Sequence, residues 1–443
     1  MSWVANIAYL LGAVIYLPIL LYEMVVLGKN RRGWGEKLFG PRRLETDARR
    51  CIWLHGVSLG EINAARGVVA GLEKRYPQCR MVISATTDTG FARAVQLFGE
   101  GRVFRYPLDF TWTVRRALQR IDPVALVLVE QEVWFNLATM ATRRGIPVCV
   151  INGRLTERSS RRLRRLGGIA RRMFGALTWV GVQDEPTAAR FAGVGAMRDR
   201  IAVTGSLKWD TALVADRIEG QDALAMALGL DLQAPLWVCG STGPGEESQV
   251  LDAFAKLREQ YPNLQLALVP RKPERFNEVA QLIRSAGYRC VRRSEHPDRS
   301  GPDDAIERIG GEAGQPVVIL GDTMGELRKF YALARVIFVG RSLVSMGGSD
   351  PMEAAGLGKP VVTGPHMENF VQPVAALRAA GGLFVEADAS AVAERVGQLL
   401  ADPDGSTEAG MAGRQAVRAN QGATERTLAG LSVVIEARLA ITH

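Results

Sequence analysis

The chain has 443 residues, 47% hydrophobic and 23% charged, the balance of a folded protein of two or three domains and not of a disordered or fibrous one. Five scattered cysteines (Cys51, Cys79, Cys149, Cys239, Cys290) without a C-x-x-C pair, and only four histidines, argue against a disulfide framework and a zinc site and fit a reducing compartment. The net charge of +9 is uneven, with six basic side chains against one acid in residues 29–43 and eight arginines against one glutamate in 154–172. Such patches on a near-neutral body suit an anionic surface, and without a zinc-finger or RNP-type motif that surface is read as a membrane and not as nucleic acid.

The first element is apolar. Trp3 to Tyr22 carries no charge, and a helix of that length spans about 30 Å, the thickness of a hydrocarbon core. Pro18 is tolerable in such a helix. The basic residues that follow (Lys29, Arg31, Arg32, Lys37, Arg42, Arg43) predict that the body stays cytoplasmic, so residues 1–28 are read as an inner-membrane anchor, spanning or peripheral. A core helix or one lying in the interface is the competing reading.

Beyond it, short apolar runs alternate with amphipathic stretches. Strands are expected at Ile52–His55, Met81–Ala85, Val103–Tyr106, Ala125–Glu130, Val148–Ile151 and Trp179–Val182, with helices at Glu61–Arg75, Gly90–Phe98, Trp112–Ile121, Trp134–Arg144, Arg161–Phe174 and Glu185–Ala192. The alternation restarts near residue 235. Strands are expected at Leu236–Gly240, Gln265–Val269, Arg289–Val291, Val317–Leu320, Val336–Val339 and Val361–Thr363; helices at Glu246–Tyr261, Arg275–Ala286, Gly325–Ala332, Asp350–Gly356, Phe370–Ala379 and Ala389–Leu400. This pattern predicts an α/β protein of two Rossmann-like domains, 29–215 and 216–420, each with a parallel sheet covered on both faces. A last helix over Thr424–Ile441, within 421–443, folds back on either one. Ligands of such sheets bind beyond the carboxyl ends of the strands, so the two halves are expected to face one cleft.

Several residues fall at those ends. Gly240-Ser-Thr-Gly-Pro-Gly-Glu-Glu247 opens a helix, where backbone amides and the hydroxyls of Ser241 and Thr242 suit an anion; Ser58 and Gly60 occupy the matching turn of the first half. A plain capped turn is the alternative. Pro270-Arg271 follows a strand, and a guanidinium there can grip phosphate. In Gly347-Gly-Ser-Asp-Pro-Met-Glu353 and the following Gly-x-Pro-Val, Glu353 sits where it can accept both hydroxyls of a ribose, as in the donor element of glycosyltransferases with two such domains. Glu61 opens a helix and is either a dipole partner or a general base. Glu130 and Glu132 end a strand, and Lys208 stands where the first domain ends. No Asp-x-Asp metal motif stands at a strand end.

Taken in order, Arg32-Gly-Trp-Gly-Glu36, Ser58-Leu-Gly-Glu61, Glu130-Gln-Glu-Val-Trp134, Asn152-Gly-Arg-Leu155, Thr204-Gly-Ser-Leu-Lys208, Val269-Pro-Arg271, Gly321-Asp-Thr-Met-Gly-Glu-Leu327 and Gly364-Pro-His366 resemble the 3-deoxy-D-manno-octulosonic acid (Kdo) transferase family over nearly the whole chain. The resemblance implies a GT-B type architecture and inverting transfer of Kdo from CMP-Kdo to a lipid A precursor (lipid IVA) in lipopolysaccharide core biosynthesis, with no metal or other cofactor. It implies Glu61 as proton acceptor and Glu130 and Lys208 as transition-state stabilisers. It implies Pro270, Arg271, Met324, Gly325, Glu326, Asp350, Pro351, Met352 and Glu353 as CMP contacts. Ser349-Asp350, where His-Asn is common, and Arg341, where Gly is common, depart from the pattern and put the donor loop in doubt. The alternatives are another nucleotide-sugar enzyme of this architecture, of the lipid A disaccharide synthase or epimerase type, and a non-catalytic membrane-bound nucleotide-sugar binder.

Overall fold

A computed structural model of the chain describes residues 2–26, 33–41, 44, 47, 49–296 and 316–441. The basic residues Lys29, Arg31, Arg32, Arg42 and Arg43 lie outside the described residues. The chain divides into two compact units, Met1–Thr211 with Gln421–His443, and Ala212–Asn420.

The first unit is built on β1 (Arg50–Gly56), β2 (Cys79–Ala85), β3 (Val103–Arg105), β4 (Pro123–Val129), β5 (Val148–Gly153), β6 (Trp179–Val182) and β7 (Ile201–Val203), ordered β3-β2-β1-β4-β5-β6-β7 and parallel throughout. Both faces are covered, so the strands are apolar almost without alternation. Trp53, Val82, Leu126 and Val150 pack on one side; Ile52, Leu54, Ile83, Val127 and Ile151 pack on the other. The closing helix Ala423–Ile441 adds Leu428, Leu431 and Ile435 to that second layer.

The second unit repeats the plan with β8 (Leu236–Thr242), β9 (Gln265–Pro270), β10 (Arg289–Arg292), β11 (Val317–Leu320), β12 (Val336–Val339), β13 (Val361–Thr363) and β14 (Leu383–Val385), ordered β10-β11-β9-β8-β12-β13-β14, again all parallel. In each sheet the strand order reverses beside the first strand, at β1/β4 and at β8/β12. That reversal opens the crevice in which a doubly wound sheet binds ligands.

Several elements differ from the sequence expectation. The edge strands β7 and β14 are additional; each has three residues and is largely half-buried, so neither shows a hydrophobic run. The helix expected over Arg161–Phe174 is two helices, Glu157–Arg165 and Gly168–Phe174, broken at Gly167, whose φ of 55° is left-handed. A helix over Pro403–Asn420 is also additional, because its glycines lower helix propensity. They are there for close approach: a Cβ on Gly410 would lie 2.1 Å from the Gly358 carbonyl oxygen.

Among the described residues no helix is long and apolar enough to cross a membrane. The helix Ser2–Val25 is 24 residues long, but its N-terminal part is committed to the first unit. Asn6 Oδ1 accepts the Thr111 N–H (3.1 Å) and the Asn136 side-chain amide (3.1 Å), and Asn6 Nδ2 donates to the Thr111 hydroxyl (2.8 Å). Asn6 thus caps the helix Thr111–Ile121, which has no side-chain cap of its own. Tyr9 stands edge-on to Phe110, with ring centroids 6.3 Å apart. The remainder, Leu10 to Val25, reaches roughly 24 Å at about 1.5 Å per residue, short of a bilayer core of about 30 Å.

Replacing Asn6 by alanine removes a helix cap worth about 1 kcal/mol and should lower the unfolding midpoint of the first unit by roughly 2–4 °C. It should also speed amide exchange in Ser2–Val25. Unchanged exchange there would show that Asn6 does not hold the helix.

Candidate active site

In the first unit the crevice lies beyond β1 and β4. The chain leaves β1 through Val57 and enters the helix Leu59–Arg75 with Ser58 as its cap. The Val57 N–H donates to Glu61 Oε2 (2.8 Å), the Ser58 hydroxyl donates to Glu61 Oε1 (2.8 Å), and the Glu61 N–H reaches Ser58 Oγ (3.4 Å). This is a capping box, and it fixes the Glu61 carboxylate at the helix mouth while leaving each oxygen a second lone pair. The Ser58 hydroxyl is spent on Glu61; Gly60 is exposed on the first turn.

β4 ends at Val129, and Glu130 follows with a left-handed φ of 61°. Its N–H still bonds the Ile151 carbonyl (2.9 Å), so the turn redirects the side chain without breaking the sheet. Burial pushes the Glu130 carboxyl up and Glu61 adds to this, while Lys208 and Arg154 pull it back. Burial likewise raises Glu132 to about 7, reinforced by Glu61 and Glu130 and opposed by the Trp134 indole N–H (3.1 Å). Three carboxylates and two cations therefore share one field.

Asn152 sets Lys208 in place. It is fully buried with φ 52°, and its Oδ1 accepts the Leu207 N–H (3.1 Å) and the Gln183 amide (3.1 Å). Behind the site His55 stacks on Tyr106 with centroids 3.8 Å apart. Burial lowers His55 to about 3, so it is neutral at physiological pH and too weak a base to compete with the carboxylates.

In the second unit the loops after β8 and β12 are tied by Glu246. Its carboxylate accepts the N–H groups of Gly243 (2.8 Å), Arg341 (2.5 Å), Ser342 (2.7 Å) and Leu343 (2.8 Å). Burial raises this carboxyl, and the four amides oppose the rise. Of the amides expected of the glycine-rich turn, that of Gly243 is thus taken by the protein's own carboxylate, whose other three bonds go to the loop after β12. Ser241 and Thr242 are buried, Ser241 with φ 57°, and the Thr242 hydroxyl donates to Glu247 (2.8 Å), which pairs with Arg275 (2.5 Å).

Around this frame stand the remaining donor residues. Pro270 ends β9, and Arg271 is exposed and makes no ion pair among the described residues; its N–H bonds the Thr242 carbonyl (3.1 Å). Met324 is 71% exposed and Gly325 has φ 89°. Glu326 anchors their loop: it is half-buried, yet the Arg293 guanidinium (2.8 Å), the Thr323 hydroxyl (2.5 Å) and Lys329 (3.0 Å) overcome that burial and hold it at about 2. Asp350 accepts the Met352 N–H (2.8 Å) past Pro351, setting the short helix Met352–Ala355. Glu353 Oε1 takes two donors from Arg328 (2.8 and 3.2 Å). Arg341 donates to the Met346 carbonyl (3.1 Å).

Glu61, Glu130 and Lys208 thus belong to one cluster of the first unit, and the donor residues all belong to the second. Arg154 and Asn152 had no assigned role in the sequence, although both lie in Asn152-Gly-Arg-Leu155; the signal was their place at a strand's carboxyl end.

Residues 31–211 match the family model described as 3-deoxy-D-manno-octulosonic-acid transferase (kdotransferase). The chain is 35% identical over 421 residues to the 3-deoxy-D-manno-octulosonic acid transferase of Bordetella pertussis, covering 91% of this chain and 94% of that protein. It is 33% identical over 388 residues to the enzyme of that name from Haemophilus influenzae, covering 87% of each. The UDP-GlcNAc 2-epimerase of Neisseria meningitidis superposes with a TM-score of 0.53 at 14% identity, over 86% of this chain and 99% of that one, a likeness of fold alone. A fold shared with nucleotide-sugar enzymes, together with a third of the sequence held in common with named transferases over nearly its full length, leads to one conclusion: this chain belongs to the 3-deoxy-D-manno-octulosonic acid transferase family of glycosyltransferases.

Proposed function

We propose that this Kdo transferase takes CMP-Kdo as donor and a hydroxyl of a lipid A precursor as acceptor, with Glu61 as the base. The observation that carries this reading is the Glu61 carboxylate, clamped by the Val57 N–H and the Ser58 hydroxyl beside Glu130 and Glu132. An alcohol loses its proton only as the new bond forms, so a positioned carboxylate is the group required. The acceptor oxygen bonds to the anomeric carbon of Kdo, the bond from that carbon to the phosphate breaks, the acceptor proton passes to Glu61, and CMP departs with the electron pair.

The second unit supplies the donor contacts: Glu353, oriented by Arg328, for the ribose, and the unpaired Arg271 for the phosphate. Lys208 balances the negative charge of Kdo and of Glu130. We place the reaction at the cytoplasmic face of the inner membrane. The helix Ser2–Val25 supports this with exposed Leu10, Leu11, Ile15, Leu17, Ile19, Tyr22 and Val25. The arginines of Glu157–Arg165, near exposed Leu166 and Ile169, form a second basic and apolar surface.

Purified full chain given CMP-Kdo and tetra-acylated lipid A precursor should yield a lipid heavier by Kdo in a mass spectrum. Glu61→Gln should lower kcat by about 10²–10⁴-fold while the affinity for CMP stays within threefold. Full turnover in that variant would reject the assigned base, and a preference for uridine over cytidine nucleotides would reject the donor.

Glu132 gives a separate, pH-dependent test. Its carboxyl titrates at about 7 in the fold, above its ordinary range. Between about pH 4.5 and 7 the folded protein then binds more protons than the unfolded chain, so stability falls as pH rises through that window. Asp109, raised to about 6 by burial, shares part of the window, so the comparison is between variants. Glu132→Gln should flatten the decline of the unfolding midpoint with pH; superimposable profiles would show that Glu132 is not held in a charged, desolvated cluster.

A further inference from the structure

The amino ends of β8, β12 and β13 border a cavity of about 570 Å³, at the edge of the second sheet opposite the donor loops. The seven residues of β8 separate the two edges by roughly 20 Å. Arg335, directly before β12, and Lys359, just before β13, line this cavity. Both are half-buried. Burial lowers the Lys359 ammonium pKa, and the charges of Arg335 and Arg414 lower it further.

Arg414 has its own partners: it pairs with Asp216 and donates to the carbonyls of Ala215 (2.5 Å) and Gly356 (3.3 Å). Arg335 and Lys359 are different. Among the described residues neither side chain makes an ion pair or a hydrogen bond. The carboxylates that flank the lining residues along the chain are Asp231, Asp402, Asp404 and Glu408; Asp231 accepts the Gln233 N–H (2.9 Å), Asp402 the Gly405 N–H (2.9 Å), and among the described residues none of the four pairs with Lys359 or Arg335. Two like charges facing one partly desolvated space without a counter-charge cost stability, and an anion entering that space reverses the sign. Ser406 and Thr407, near the start of the helix Pro403–Asn420, line the same cavity; Ser406 adds a hydroxyl and the helix its positive end, while the Thr407 hydroxyl is given to the Pro403 carbonyl (2.8 Å). Leu333 and Leu400 give it an apolar wall.

We propose that this cavity is a second anion site, built for a phosphate-bearing molecule with a compact organic or apolar body, and separate from the site of sugar transfer. Its volume lies within the range of small-ligand pockets. A soluble phosphate ester and a phospholipid headgroup present the same chemistry to Lys359 and Arg335.

The test uses the full chain saturated with CMP, so that the donor site is closed to the probe, and pyrophosphate as that probe in calorimetry. One additional site is expected, weakened at least tenfold in Lys359→Met and in Arg335→Met, with CMP affinity unchanged in both. No heat beyond that of the donor site, or equal binding by the variants, overturns the proposal. Lys359→Met also answers the question of folding. Without pyrophosphate its unfolding midpoint should equal or exceed that of the parent, and pyrophosphate should raise only the parent's; a fall in the midpoint without ligand would mark the lysine as a structural group and sink the site. Flotation with vesicles containing phosphatidate then assigns the source. Weaker flotation of Lys359→Met supports a headgroup, and unchanged flotation with lost pyrophosphate binding supports a soluble ester.

Discussion

Charge repulsion among Glu61, Glu130 and Glu132 is the constraint around which the first unit is arranged. Burial raises the proton affinity of carboxylates withdrawn from water, and their mutual repulsion adds to the effect, as Glu130 and Glu132 register. The site keeps its negative charge because the protein supplies opposing groups at fixed positions: Lys208 and Arg154 against Glu130, and the Val57 amide and Ser58 hydroxyl against Glu61. Lys208 depends in turn on Asn152, whose buried side chain holds the Leu207 amide. The left-handed backbone at both Glu130 and Asn152 is where adjacent strands β4 and β5 give up regular geometry to aim these groups.

The second unit solves the opposite problem. Its acids are spent inside the fold: Glu246 on four amides, Glu247 on Arg275, Asp322 on Arg292 and Ser294, and Glu326 on Arg293 and Lys329. Each such carboxylate joins segments far apart in the chain, so the loops proposed to meet the nucleotide are already fixed, and on that proposal less ordering remains to be done on binding. With those acids committed, the exposed Arg271 makes no ion pair among the described residues, as its proposed role toward the donor phosphate requires.

The core strands were legible because burial on both faces writes a continuous apolar run; β11, β12 and β13 match the expected spans residue for residue. The edge strands were not, since three partly exposed residues leave no such run. Glu61, Glu130 and Lys208 could be read from motifs at strand ends. Their settings could not. The Glu246 carboxylate meets amides nearly a hundred residues away, and Asn6 caps a helix more than a hundred residues on. Contacts of that span leave no local periodicity. The glycine-rich turn shows the cost: its sequence announces free amides at a helix start, yet the Gly243 amide goes to Glu246, which also ties the turn to the distant loop 341–343.

The N-terminal helix carries the same lesson further. Hydropathy averages over Trp3–Tyr22 and passes over Asn6, whose side chain binds two other helices of the first unit. Because that end is fastened, the apolar remainder projects from a fixed mount and is not a free tether. An enzyme whose proposed acceptor hydroxyl lies at the headgroup level has no need to cross the bilayer. It needs to sit at a set height above it, and an apolar helix buried about 5–10 Å into the headgroup boundary provides that height. A spanning helix on a flexible link would hold the protein near the membrane without orienting Glu61 toward it. On the proposed membrane reading, a docked, shorter helix would do both, and the hydrogen bonds of Asn6 would matter more to that reaction than the length of the apolar run.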